Sequence, residues 1–137
     1  MMNILGKLFN ERYYKTKQFE QDGKIYKYMG IHIYKKIIMC QVKNKKVNNY
    51  NLMTYSINGI KNFERESRYN EKVHMIIAIP MLLLMLFMCF FTKDILDVLK
   101  TISILLLNIF VNIYPICLQR YNRIRINRIL NRFKFDK

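Results

Sequence analysis

The chain has 137 residues, of which 52% are hydrophobic and 24% are charged, with a formal net charge of +15. Four Gly and two Pro exclude a low-complexity linker protein, and three Cys exclude a scaffold held by disulfides. The charges are unevenly distributed, because 22 of the 24 Lys and Arg residues lie outside Met75–Leu118. An evenly mixed soluble core is therefore excluded, and the excess positive charge predicts an anionic partner.

The N-terminal region, residues 1–73, is polar and basic. It holds 15 Lys and Arg residues against six Asp and Glu residues, a net charge of +9. A turn signal at Glu20–Gly23 separates a basic segment from the stretch Lys24–Lys36. Alternating residues in that stretch permit a strand hairpin, and a helix-turn-helix lying on the membrane fits the flanking residues equally well. From about Asn62 the sequence predicts a helix that continues into the apolar segment that follows.

Two uncharged segments of 18 residues each, Met75–Thr92 and Thr101–Leu118, follow this region. Each segment is at the short end of the range that crosses a hydrocarbon core about 30 Å thick. The loop 93–100 is too short for a domain, so we expect an antiparallel transmembrane hairpin over residues 74–118. A soluble pair of buried helices would rarely lack charge on every face.

The charges that flank the hairpin predict its orientation. The loop 93–100 holds two basic and two acidic residues, whereas the tail 119–137 holds seven basic residues and one acidic residue. Because Lys and Arg are retained on the cytoplasmic side, both termini of this multi-pass cell-membrane protein are expected to be cytoplasmic. Anionic lipid headgroups are then the first partner. Nucleic acid is not expected, since the sequence has no basic nucleic-acid-binding module.

These patterns together predict a mainly α fold: a membrane protein with an antiparallel two-helix hairpin, a basic cytoplasmic N-terminal region and a basic C-terminal tail. The three Cys residues have no ligand spacing with each other or with His, so no metal site is predicted. Gly-rich phosphate loops and nucleophile-elbow patterns are also absent from the sequence, and no cofactor is expected.

A first candidate site precedes the first apolar segment. On a helix, Glu66 and Glu71 lie about 80° and 60° from His74, so both carboxylates flank the imidazole on one broad face. A carboxylate beside an imidazole fixes its tautomer and raises its basicity, as a general base requires. The alternative is an exposed helix on which Glu64 and Arg68 form a surface pair and His74 is an interfacial anchor.

A polar stripe runs along the second apolar segment and beyond it. Its members fall within about 100° of one another on an ideal helix; they are Asn108, Asn112, Pro115, Gln119, Asn122 and Arg123. At membrane depth such side chains face a partner helix or a water-filled cavity, because lipid cannot satisfy them. Pro115 frees a backbone carbonyl one turn earlier and allows the helix to bend. The alternative role for Asn108 and Asn112 is structural, as hydrogen bonds to the first apolar segment.

Two blocks of sequence resemble a known family. Residues 112–125 (NIYPICLQRYNRIR), preceded by residues 66–74 (ESRYNEKVH), are similar to the paired motifs of the glycosyl-4,4'-diaponeurosporenoate acyltransferase family of low-GC Gram-positive bacteria. Residues 14–36 are also similar to the cytoplasmic region of that family. The resemblance implies a small integral membrane enzyme that attaches a fatty acyl group to a sugar hydroxyl of a carotenoid glucoside in staphyloxanthin synthesis.

The chain departs from the family pattern in two respects. Phe19, Tyr34 and Met75 stand where family members typically carry tryptophan, and this chain has no Trp. The additional N-terminal membrane helix of the family is also missing from the sequence. We therefore expect a divergent, N-terminally short member.

Two functions follow from these observations. In the first, a membrane acyltransferase transfers a fatty acyl group from its donor to a lipid-linked sugar, and His74 acts as general base with the help of Glu71 or Glu66. The predicted substrate-binding residues are those of the Arg-rich blocks and the stripe: Arg68, Asn112, Gln119, Arg120, Asn122 and Arg123. The alternative is a non-enzymatic small membrane protein, such as a helix-assembly, partner-binding or immunity-like subunit.

Overall fold

The computed structural model describes residues 8–42 and 57–135. The remaining parts of the predicted N-terminal region, residues 1–7 and 43–56, lie outside the described residues, as do the last two residues of the tail. The described residues are mainly helical and contain no strand. The stretch 24–36 is accordingly a helix-turn-helix, and the strand hairpin that its alternation permitted is wrong.

Short helical elements form the first half of the described chain. They are α1 (Glu11–Tyr14), a 3-10 turn (Gln18–Glu20), α2 (Lys24–Tyr28) and α3 (Ile31–Val42). Gly23 and Gly30 precede α2 and α3 with φ angles of 64° and 74°. Gly23 is the reversal that the predicted turn signal at Glu20–Gly23 required, and Gly30 adds a second reversal. Residues other than Gly are strained at such left-handed positions.

Two long helical rods form the second half. They are α4 (Ile57–Phe90) and a rod made of α5 (Ile95–Asn108), a π-helical turn (Ile109–Ile113) and α6 (Tyr114–Phe135). Helix α4 begins slightly before the predicted Asn62 and contains Pro80 without interruption. Its 34 residues extend about 50 Å, which is longer than a hydrocarbon core and leaves its N-terminal part beyond the apolar segment.

Both rods are long and apolar enough to cross a membrane. Only 6% of the most apolar 18-residue stretch of α4 is buried, and 28% of the corresponding stretch of the second rod. A core helix of a soluble protein would be mostly buried. The exposed apolar surface therefore matches a lipid environment. The predicted antiparallel pair is also present, since α4 packs along α5, the π turn and α6.

The π turn lies directly before Pro115. The backbone N–H of Tyr114 donates to the carbonyl of Ile109, five residues earlier, and Pro115 occupies the second position of α6. Because Pro115 has no N–H, it leaves a carbonyl of the preceding turn without its helical donor. The predicted backbone adjustment at Pro115 thus takes the form of a widened turn within a continuous rod.

A small apolar core joins the short helices to α6. Tyr26, Ile31 and Tyr34 from α2 and α3 are buried together with Leu118 and Ile124 of α6. Tyr34 and Tyr114 add a ring contact with centroids 5.1 Å apart. The core lies at the polar end of the second rod, where it fixes the N-terminal segment against the residues of the predicted stripe.

Alanine at Gly23 is expected to destabilise the fold more than alanine at Gly30. Both substitutions place a side chain at positive φ, at a cost of about 1–2 kcal/mol. A Cβ at Gly23 would also lie 3.3 Å from Cε2 of Tyr121, whereas a Cβ at Gly30 would meet no atom within 4 Å. Thermal unfolding in detergent, followed by circular dichroism, measures both, and equal losses would contradict the packing of Gly23 on Tyr121.

Candidate functional site

The predicted polar stripe faces α4. All six of its members are buried in the structure, and Asn112 and Arg123 are 0% and 2% exposed. Their surroundings are side chains and backbone groups of α4 and of the short N-terminal helices. Of the two surroundings expected for polar side chains at membrane depth, a partner helix or a water-filled cavity, Asn108 and Asn112 have the partner helix.

A chain of hydrogen bonds connects the stripe to His74. The Asn108 side-chain amide donates to the backbone carbonyl of Ala78 over 3.2 Å, and the Asn112 amide donates to Oδ1 of Asn108 over 2.9 Å. The Asn112 amide also lies 3.3 Å from Sδ of Met81. Nδ1 of His74 lies 3.4 Å from Oδ1 of Asn112. The structural role predicted for Asn108 is therefore present, and Asn112 links it to the candidate base.

A buried charge cluster, made of Glu20, Glu71, Arg120 and Arg123, lies next to this chain. The Glu71 carboxylate is 0% exposed. Its Oε1 accepts a hydrogen bond from Arg120 over 3.3 Å, and its Oε2 is paired with Arg123. Arg120 also donates to both oxygens of Glu20, over 2.9 and 3.0 Å. Two carboxylates thus balance two guanidinium groups, as burial of charge requires.

The buried charge cluster holds the N-terminal segment on the long helices. Glu20 accepts further hydrogen bonds from the hydroxyl of Tyr26, over 2.7 Å, and from the backbone N–H of Lys17, over 3.1 Å. Arg123 donates to the backbone carbonyl of Tyr14 over 3.3 Å. A few charged groups therefore attach the N-terminal segment to α6, although Glu20 and Arg120 are far apart in the sequence.

The pKa of Glu20 reflects this arrangement. Burial by itself raises the pKa, but the hydrogen bonds from Arg120, Tyr26 and the Lys17 amide outweigh it and hold the pKa below the usual 4.5. Burial and the hydrogen bond to Glu20 raise the pKa of Tyr26. Glu20 is therefore an ionised acceptor and Tyr26 a neutral donor at physiological pH.

Arg68 lies at the rim of a polar groove. It donates to Oε1 of Glu64 over 2.7 and 3.0 Å and is paired with Glu11. The groove has a volume of about 590 Å³ and is lined by both charges and by amides; its lining includes Lys15, Arg68, Arg123, Asn127 and Arg128. A hydrogen bond from Ser67 to the backbone carbonyl of Gln119, over 3.2 Å, joins α4 and α6 nearby.

The structure brings some predicted site residues together and separates others. His74 contacts Asn112, whereas the carboxylate of Glu71 is bound by Arg120 and Arg123. Glu66 is exposed and lines a separate shallow groove with Arg65, Tyr69 and Asn70. Sequence spacing placed both carboxylates on the same broad face as His74, but their contacts in the structure are with other groups.

Two contributors to the site were not singled out from the sequence. Glu20 was predicted only as part of a turn, and no residue near it in the sequence indicates that its carboxylate pairs with Arg120. The backbone carbonyl of Ala78 has no side-chain signal, although a small residue inside an apolar helix is typical of close helix packing. Among the described residues, no group of three or more His, Cys, Asp and Glu is arranged to hold a metal ion.

The fold and site define a small, mainly helical protein with two helices long enough to cross a membrane and a buried polar site between them. The sequence profile of the glycosyl-4,4'-diaponeurosporenoate acyltransferase family matches residues 10–132, and the chain belongs to this family. The match covers most of the chain, including the buried charge cluster and His74. No curated protein and no solved structure matches the chain significantly.

We expect the stability of the protein to fall as the pH drops below about 4.5, because Glu20 has a lowered pKa in the folded state. Its contribution is present above the pKa of the unfolded chain and is lost as the pH falls through the folded value. Glu20→Gln should flatten this part of the profile, and Glu66→Gln, at an exposed site, should leave it unchanged. Denaturation midpoints at pH 7 and pH 3.5 measure the difference.

Glu71→Gln is expected to destabilise the protein by about 3–5 kcal/mol, because it leaves buried guanidinium charge without its partner. Glu66→Gln serves as the matched control, with an expected change within about 0.5 kcal/mol at an exposed position. Unfolding by denaturant in mixed micelles, followed by circular dichroism, compares the two variants. Similar midpoints for both would show that the Glu71 ion pairs contribute little.

Proposed function

We propose that the chain is an acyltransferase of the cell membrane that esterifies a fatty acyl group onto a sugar hydroxyl of a lipid-linked glycoside. The family supports acyl transfer in carotenoid biosynthesis, and its name supports a carotenoid glucoside as the acceptor. The observation that carries the proposal is the order of three features along α4: a polar groove, a histidine and an apolar crevice.

These three features follow the order of groups in an acyl donor. Arg68 at the polar groove lies six residues before His74, about 9 Å along the helix axis. Met85, eleven residues after His74 and about 16 Å further along, lines an apolar crevice of about 420 Å³ between α4 and α5. A donor with a polar head, a reactive carbonyl and a hydrocarbon tail presents its parts in the same sequence.

In the proposed reaction His74 is the general base. It removes the proton of the sugar hydroxyl as the hydroxyl oxygen attacks the acyl carbonyl carbon. The new ester C–O bond forms, the bond from the carbonyl to the donor's leaving group breaks, and the imidazolium returns its proton to that leaving group. Fatty acyl thioesters and esters both fit this scheme.

The predicted substrate-binding residues differ in their support. Arg68 lines the polar groove and is only partly buried, which supports the proposal that it holds the anionic end of the donor. Arg123 also lines the groove, but its burial and its pair with Glu71 favour a structural role. Arg120 is enclosed between Glu20 and Glu71, which favours a structural role. Gln119 and Asn122 remain proposed contacts for polar groups of the substrate. Asn112, fully buried, is favoured as a partner of His74 over a direct substrate contact.

The carboxylates proposed to assist His74 have weaker support than the base itself. Glu71 is engaged by two arginines, and Glu66 lies at a separate groove. We propose that the reaction takes place at the cytoplasmic face, with both termini and their basic residues beside anionic headgroups.

A non-enzymatic role in helix assembly is the second candidate. The hydrogen bond from Asn108 to the Ala78 carbonyl favours it, because amide contacts of this kind contribute to the packing of membrane helices against one another. This role predicts that deletion of the protein removes no acylated glycolipid. The acyltransferase predicts that one acylated glycolipid disappears, which lipid profiling of a deletion strain by mass spectrometry measures.

His74→Ala is expected to lower acyl transfer by about 10²–10⁴-fold, the usual contribution of a general base. His32→Ala is the matched control. His32 is the other His residue of the chain, is exposed, and makes an edge contact with the Tyr121 ring. Ester formation on a lipid-linked glucoside is measured in membranes that contain each variant and a long-chain acyl donor. Equal rates for wild type and His74→Ala would exclude His74 as the base.

A further inference from the structure

The hydrogen-bond chain that ends at His74 starts at a group that can act only as an acceptor. The backbone carbonyl of Ala78 can only accept hydrogen bonds. The side-chain atom of Asn108 that lies 3.2 Å from it must therefore be the amide nitrogen. This orientation leaves Oδ1 of Asn108 on the opposite side, toward Asn112.

The same reasoning fixes Asn112. Oδ1 of Asn108 accepts, so the Asn112 atom 2.9 Å away is its amide nitrogen. Reversing Asn112 would bring two acceptor oxygens together inside a buried site and leave both unpaired, at a cost of about 1–3 kcal/mol for each group. Oδ1 of Asn112 is therefore the atom that faces His74.

His74 completes the chain. Its Nδ1 lies 3.4 Å from Oδ1 of Asn112, which can only accept, so Nδ1 carries the proton in the neutral ring. The other nitrogen, Nε2, then holds the lone pair. Within the described part of the chain Nε2 has no hydrogen-bond partner, and the half-buried ring leaves it available to a substrate.

We propose that Asn108 and Asn112 are positioning residues that hold His74 in the Nδ1–H tautomer and thereby present Nε2 as the base. The assignment rests on the proposed function for its catalytic meaning, and on the hydrogen bonds alone for the tautomer. It gives the buried asparagines of the second rod the role that sequence spacing had given to Glu71 and Glu66. A neutral amide fixes the ring without placing a second charge in the membrane interface.

The helix geometry makes this arrangement a closed unit. His74 and Ala78 are one turn apart on α4, and Asn108 and Asn112 are one turn apart on the second rod. Ala78 is buried, and its small side chain allows the two rods to approach closely enough for the Asn108 amide to reach the backbone. The tautomer of His74 therefore depends on the relative register of the two rods.

During transfer the same contact stabilises the charged ring. When Nε2 takes the hydroxyl proton, the ring becomes an imidazolium whose Nδ1–H still donates to Oδ1 of Asn112. Hydrogen bonds that involve an ionised partner are about twice as strong as neutral ones, so the contact strengthens as the charge develops. Asn112 thus contributes most when the proton has moved.

Nitrogen-15 NMR of histidine tests the tautomer without any activity measurement. The full-length His32→Gln chain, labelled in histidine and reconstituted in bilayers, contains a single imidazole. At a pH where the ring is neutral, we expect the shifts of a protonated Nδ1 and an unprotonated Nε2. A spectrum with protonated Nε2 would overturn the proposal, whatever the variants show.

Two variants and a control locate the cause. Asn112→Leu should convert His74 to the Nε2–H form that an unconstrained histidine side chain favours in water, and Asn108→Leu should give a mixture because Asn112 is no longer oriented. Ser67→Ala removes a different buried contact between α4 and α6, the bond to the Gln119 carbonyl, and should leave the tautomer unchanged. Unchanged spectra in folded Asn112→Leu and Asn108→Leu, or a change in Ser67→Ala equal to theirs, would overturn the proposal. If neither leucine variant folds, the spectrum of the His32→Gln chain decides.

Acyl-transfer kinetics then separate this inference from the proposed function. A positioning role predicts that Asn112→Leu lowers kcat by about 10²–10⁴-fold with little change in KM, as loss of a correctly oriented base does. A spectrum with protonated Nδ1 combined with full activity of His74→Ala would refute His74 as base and leave the tautomer assignment standing. A spectrum with protonated Nε2, combined with a loss of activity in His74→Ala, would refute the tautomer assignment and leave His74 as the base.

Discussion

The fully buried carboxylate of Glu71 is the constraint on which much of the structure depends. A carboxylate removed from water requires matched positive groups, and α6 supplies two of them, Arg120 and Arg123. Arg120 in turn requires Glu20, which fixes the 3-10 turn and the start of α2 against α6. These ion pairs therefore hold the short N-terminal helices, which make few long-range contacts with one another, in a defined position. The excess of basic residues seen in the composition is, at this point, compensated internally.

The candidate site lies between a polar and an apolar part of the molecule. On one side of His74 lie the buried charge cluster and the polar groove, and on the other side lie the apolar stretches that lipid can cover. The membrane need not be penetrated by water for a polar reaction to occur at this level, because the polar groups of the site are supplied by the protein. In the proposed reaction the sugar of a lipid-linked acceptor reaches the site while its hydrocarbon part stays in the bilayer.

Sequence periodicity predicted the rods and the stripe well, because both depend on which residues share one face of a helix. It placed Asn108, Asn112 and Arg123 on the buried side, and the structure agrees. It did not show the partners of Glu71, because a helical wheel shows which residues share a face and not which partner meets each of them across the interface. Glu20 was beyond such reasoning altogether, since its pairing with Arg120 depends on how the chain folds back over 100 residues.

The π turn at Ile109–Ile113 has a consequence for how this chain tolerates change. A π turn holds one residue more than the α-helical path it replaces. Removing a single residue here would restore the α-helical path with α6 still facing α4, because the widened turn absorbs its extra residue without rotating the helix that follows. The same deletion in the regular helix between Tyr114 and Gln119 would rotate the later residues by about 100°. Arg120 and Arg123 would then point away from Glu71, while Asn108 kept its place against α4. A change of length is therefore less damaging in the π turn than in the first turns of α6.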